Sequence, residues 1–126
     1  MRFKFLLEPL MLPILFPFGA TADSCFAELS EAGLQVKMGK LFDEVLDLKT
    51  VESVEAGKWP LLSGLGHRIG FNHEMGVLAS TRNVVKLHFK EPQFIKALWA
   101  FHFKTHDFFL ALEEPERFIQ EVKKRI

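Results

Sequence analysis

Asp107-Phe108-Phe109-Leu110-Ala111-Leu112, then Glu113-Glu114-Pro115, then Glu116 to Ile126, is the stretch that decides the fold. The first six residues read as a strand, Glu-Glu-Pro as its stop, and the remainder as one short amphipathic helix. Pro115 suits the first helical position, because its ring fixes a helical φ and its missing N–H would have no partner there. Glu113, Glu114 and Glu116 lie at the positive end of the helix dipole, and Lys123, Lys124 and Arg125 at the negative end. Phe118, Ile119, Val122 and Ile126 recur at the spacing of one apolar stripe. A strand-rich chain finished by such a helix predicts a barrel or sandwich plugged by that helix.

Working outward, 126 residues make one domain spanning 1–126. A hydrophobic content of 48% supplies a core without staples. Cys25 is the single cysteine, which excludes an intrachain disulfide. Sixteen basic and sixteen acidic side chains cancel, so no global field draws the chain to nucleic acid or to anionic lipid. Fourteen Phe and no Tyr point to aromatic residues used as core, since Phe lacks a polar handle.

The first 22 residues carry two readings. Met1-Arg2-Phe3-Lys4, the apolar run Phe5 to Phe18 and Ala20-Thr21-Ala22 mimic an export signal with its cleavage site. Glu8 inside the run, and Pro9, Pro13 and Pro17, fit an irregular or extended edge segment better. On that second reading the protein is cytoplasmic; on the first it is exported.

Further strands are expected at Cys25–Ser30 and Leu34–Met38, joined by a turn at Glu31-Ala32-Gly33 and ended by Gly39-Lys40. Leu41–Leu48 and Thr50–Glu55 read as strands, with a helix over Leu41–Val54 as the competitor. Gly57–Gly66 is a loop, and His73-Glu74-Met75-Gly76 a hairpin-like link between His67–Asn72 and Val77–Ser80. Val84–Phe89 gives another strand, stopped by Lys90-Glu91-Pro92. Phe94, Leu98 and Phe101, with Ile95 and Trp99, share a helical face and predict a short helix within 94–104.

The progression Leu29-x4-Leu34-x-Val36-x2-Gly39, Leu46-x-Leu48, Val51-x2-Val54, Gly66-x-Arg68, Gly76, Val84-Val85-x-Leu87-x-Phe89-x-Glu91-Pro92 and Leu110-x-Leu112-Glu113-Glu114-Pro115-Glu116 resembles a bacterial family of small uncharacterised proteins with a pleckstrin-homology-like fold. The resemblance implies a mainly β domain with a C-terminal helix (α+β): a bent antiparallel barrel of about seven strands capped by that helix. It also implies a platform for peptides, lipids or other subunits, with no catalytic residues to carry over.

Chemistry-bearing motifs are sparse. Gly64-Leu65-Gly66-His67-Arg68-Ile69-Gly70 lacks the strand before and helix after that a phosphate loop needs, so it reads as a turn entering a strand. His102 and His106 stand four apart, as two ligands on one helix face would, but a third ligand is wanting, so neither a metal nor another cofactor is expected. Cys25 sits between Asp23 and Glu28, whose charges disfavour a thiolate, and reads as a structural thiol. No catalytic residues are assigned.

The most site-like residues are Lys58 and Trp59, beside Pro60, with His67, Arg68 and Arg82. A Trp next to a Pro in a loop offers a rigid aromatic contact, and Arg pairs with carboxylate or phosphate. The plainer reading folds Trp59 back as a lid. Three functions follow in order: a module that binds a protein or peptide or a like subunit, a membrane-surface module using the same cations with the apolar N-terminus dipping into the interface, and a small metal-assisted enzyme at His102 and His106.

Overall fold

The computed structural model describes residues 1–19, 21, 23–59, 66–69, 73–97 and 101–126, with backbone alone at 15, 18, 66–69, 97 and 101. In chain order the elements are β1 (Arg2–Lys4), a helical segment of 3-10 turns flanking α1 (Leu12–Leu15), β2 (Cys25–Ser30), β3 (Gly33–Met38), β4 (Phe42–Leu46), β5 (Val51–Ala56), β6 (Gly66–Ile69), β7 (Glu74–Leu78), β8 (Val84–Ala97), β9 (Phe101–Ala111) and α2 (Pro115–Lys123). The chain is therefore mainly β with one C-terminal helix, as the sequence implies.

These nine strands form two sheets rather than one closed barrel of about seven. One has the order β1-β2-β3-β4 and the other β5-β8-β9-β7-β6. Pairing is antiparallel except between β7 and β9, which run parallel from Glu74↔Asp107 to Val77↔Leu110. That parallel pair departs from the all-antiparallel expectation. It arises because the β8–β9 hairpin inserts beside β7 after β8 has already paired with β5.

Local signals explain the first sheet. Leu34, Val36 and Met38 are buried while Gln35 and Lys37 are half-exposed, the alternation of a strand with one wet face. The β2–β3 turn closes with Ser30 opposite Gly33, whose φ of +123° belongs to glycine. A Cβ at Gly33 would also overlap the Leu46 carbonyl oxygen on β4. The competing helix over 41–54 does not form; Asp47 instead caps a short 3-10 turn, accepting from the Lys49 N–H, between β4 and β5.

Two further expectations are corrected in the second sheet. The stop at Lys90-Glu91-Pro92 does not end β8, because the β8–β9 register slips between His88 and Gln93 and this irregularity absorbs the proline. Beyond it, Gln93↔Thr105 through Ala97↔Phe101 make an antiparallel arm where a helix was expected. Exposed Phe94, buried Ile95 and exposed Lys96 have the period of a strand. The hairpin-like link expected at 73–76 also shifts. Glu74 to Gly76 lie inside β7, and His73, at φ +60°, carries the turn. Residues 70–72 and most of the 57–66 loop lie outside the described residues.

The N-terminal segment joins the two sheets. The Leu6 N–H donates to Ala111 O (2.9 Å), Glu8 N–H to Ala79 O (3.1 Å), and Glu113 N–H to Lys4 O (3.0 Å). Phe3 and Phe5 are buried in the shared core. Glu8 accepts from Ser80 Oγ at 2.7 Å and from Arg82 Nε at 2.9 Å. The first of these contacts, then the second, lowers its pKa below the ordinary carboxylate value.

α2 closes the opening beside β5, with Pro115 at its first position. Phe118 and Val122 are fully buried, and the Phe118 ring meets Phe3 edge-on at 5.2 Å. Ile126 is 45% exposed and does not extend the stripe, because the helix ends at Lys123. Phe118→Ala should therefore lower unfolding free energy by about 3–5 kcal/mol in urea titrations, the range for truncating a buried Phe, while Ile126→Ala should change it by less than about 0.5 kcal/mol.

Candidate functional site

Strand alternation gives the five-stranded sheet a second, outward face. Phe108 and Leu110 point into the main core, while Phe109 and Ala111 point away, joined by Leu78, Val84 and Trp59 in a small separate cluster. Trp59 is 4% exposed and lies on Phe109, ring centroids 5.1 Å apart. The lid reading therefore describes it, and the exposed hot spot does not; what it covers is this sheet face. Gly76 makes the room, since a Cβ there would come within 2.9 Å of the Trp59 ring.

Of the other residues singled out in the sequence, Arg68 stands opposite Gly76 in the β6–β7 register, next to the strand that Trp59 covers. Lys58 is exposed beside Trp59. His67 and Arg68 lie on β6 opposite Val77 and Gly76, and their side chains lie outside the described residues. Arg82 directs its guanidinium to Glu8 at 2.9 Å, so its charge is already engaged with the N-terminal segment. Gly66–Ile69 of the glycine-rich motif is strand, the simpler of its two readings; Gly64, Leu65 and Gly70 lie outside the described residues.

A polar row crosses the same outward face. His88 Nδ1 donates to Asp107 Oδ1 at 2.7 Å, Nε2 lies 3.8 Å from Glu52, and Glu74 stands opposite Asp107 across β7 and β9. Burial first, and the Asp107 charge second, raise the Glu74 pKa, with Lys86 opposing them. His102 and His106 do not share a helix face. On a strand, residues four apart are separated by roughly 13 Å, and His106 instead has its ring 5.7 Å from that of His73. No group of three or more His, Cys, Asp or Glu among the described residues is placed to hold a metal ion. Cys25 is fully buried, and desolvation raises its pKa; burial, more than the neighbouring acids, sets this thiol's character.

The concavity that the sequence reading missed lies between β4 and the outer part of β8. β4 is the last strand of its sheet. β8 extends past its pairing with β5, which ends at Phe89, so Gln93 to Ala97 pair with β9 alone. Between these two strand edges is a cleft of about 300 Å³. Leu46, Phe89 and Ile95 form its apolar floor, Glu44 and Asp47 stand on the β4 side, and Lys96 and His102 on the arm. Val45 and Phe94 also line it and are 57% and 67% exposed. The signals for it were Val45 amid Asp43, Glu44 and Asp47, and the alternation Phe94-Ile95-Lys96 after a proline.

Comparison with protein-family models, with curated proteins and with solved structures gives no match. The geometry alone carries the functional argument.

Two outcomes follow for the outward face. A raised Glu74 pKa means that the folded state holds this proton more tightly than the unfolded state, so Glu74 favours folding at acid pH and loses that contribution as pH rises through its folded pKa. Glu74→Gln should therefore be the more stable protein at pH 7 in urea titrations, with the difference gone below about pH 4. Gly76→Ala should displace Trp59, costing about 1–3 kcal/mol and red-shifting tryptophan emission in a Trp99→Phe background.

Proposed function

We propose that this protein is a binding module that takes an extended segment of a partner protein into the cleft between β4 and the outer part of β8. Among the described residues no other strand covers the outer edge of β4 or the β8 edge from Gln93 to Ala97, and an apolar floor lies between them; this observation carries the reading. An added strand satisfies edge N–H and C=O groups, while the floor accepts alternate side chains. Leu46, Phe89 and Ile95 suit one apolar residue of the guest; Val45 and Phe94 on the lining suit further apolar contact. Glu44 and Asp47 facing Lys96 and His102 give the slot one acidic and one basic wall, which orients a guest whose charges oppose them.

A second copy fits less well as the guest. Symmetric antiparallel pairing of two β4 strands about Val45 would set Asp43 against Asp47 on both sides, a like-charge arrangement that destabilises a sheet. The balanced net charge also favours a protein guest over nucleic acid. Burial of Phe3 and Phe5 argues against cleavage after Ala22, which would delete β1 and open the core.

Selection from a displayed library of random 12-residue peptides tests the reading. Enriched peptides should share an apolar residue within an extended, uninterrupted segment. Val45→Asp and Phe94→Asp, both on exposed side chains, should each weaken binding at least about tenfold without lowering stability. A library that yields no enriched sequence, or peptides that bind both variants as they bind the parent, overturns it.

A further inference from the structure

Four of the eight large apolar side chains that the described surface exposes fall within seven residues: Leu10 (87%), Leu12 (42%), Ile14 (59%) and Phe16 (71%). They sit on the helical segment that runs from Pro9 to Phe18, far in sequence from the cleft residues. No charged residue lies between Glu8 and Asp23. A patch of this kind on a small domain marks something that covers it.

Three features identify the cover. Leu10 and Phe16 lie in the 3-10 turns and Leu12 and Ile14 in α1, at steps of roughly 120° and 100° per residue, so the four spread over more than one side of the segment while Met11 packs toward the core. A protein groove meets one stripe; a fluid apolar phase meets more than one side at once. The backbone is also prepared for a medium without water. Pro9, Pro13 and Pro17 have no N–H to leave unsatisfied. The N–H groups of Met11, Leu12, Phe16 and Gly19 donate within the segment or to Glu8, at Glu8 O, Pro9 O, Leu12 O and Phe16 O. Finally, cations stand at both ends. The stem of Lys40 runs beside Gly19, and Arg82, its side chain 68% exposed, sits over Glu8 at the other. That is the order of an interfacial anchor: apolar residues in the acyl boundary and basic residues at headgroup level.

We propose that residues 10–16 dock the protein to a lipid bilayer surface, immersed to about 5–10 Å. Among the described residues no helix is long and apolar enough to cross a membrane, so the contact lies in the interface plane. Arg82 is partly neutralised by Glu8, so attachment is mainly apolar and gains only about fivefold from anionic lipid. The anchor and the peptide cleft are separate devices, and each can fail alone.

Sedimentation with phosphatidylcholine vesicles, with and without 30% phosphatidylserine, tests this on the full chain. Partitioning should be measurable with neutral vesicles and should fall at least about 100-fold in the Leu10→Ser/Ile14→Ser/Phe16→Ser variant, whose changed side chains are all exposed and leave the urea midpoint in place. An environment-sensitive dye on the Leu10→Cys variant, with Cys25 shielded by burial, should shift to the blue on adding vesicles. Protein left in the supernatant, a dye that does not shift, or a parent oligomer that the triple variant dissolves would each overturn the proposal, the last by assigning the patch to contact between copies.

Discussion

Everything in this fold depends on the passage of residues 4–8 from one sheet to the other. β1 closes the first sheet against β2, and a few residues later the same backbone bonds to Ala111 and Ala79 in the second. Without these bonds two open sheets would meet only through side chains, along an interface that an apolar solvent of loose Phe and Leu residues could satisfy in many ways. With them, the angle and register between the sheets are fixed by directional backbone bonds from Leu6, Glu8 and Glu113. Ser80 and Arg82 hold Glu8 at the end of the passage, so a charge within an apolar run, read from sequence as an interruption, is a fastening point. The core, the α2 contact through Phe3 and the emergence of the apolar segment after Glu8 all follow from that crossing.

What the sequence made legible was local. α2 announces itself through Pro115 and its flanking charges, because capping and dipole effects act within a turn. β2 and β3 announce themselves through alternation and a glycine turn, and both were placed to within a residue. The arm was not legible, since Phe94, Ile95, Leu98, Trp99 and Phe101 satisfy helical spacing as well as they satisfy a strand. The partner that decides, Thr105 back to Phe101, lies further along the chain and supplies strand pairing rather than a pattern. The same limit hid the parallel β7–β9 pair and the opening of the expected barrel into two sheets.

The candidate site was less legible still. Trp59 looked available because a Trp-Pro loop often is, yet its ring has a destination created by a glycine seventeen positions later (Gly76) and a Phe on another strand. Arg82 looked available until its partner, 74 residues earlier, was in view. The cleft is written in no motif. It exists because β8 is longer than β5 and β4 is the last strand of its sheet among the described residues, a difference that only the assembled sheets define. The polar row of His88, Asp107 and Glu74 is similarly a product of register.

The long reach of the Leu6–Ala111 bond also orders events during synthesis. Leu6 is made 105 residues before Ala111, whose carbonyl accepts its N–H, whereas β1 finds its partner β2 within 26 residues. Contacts this distant are the slowest to close, so the seam between the sheets is set after the pairing of β1 with β2 has come within reach.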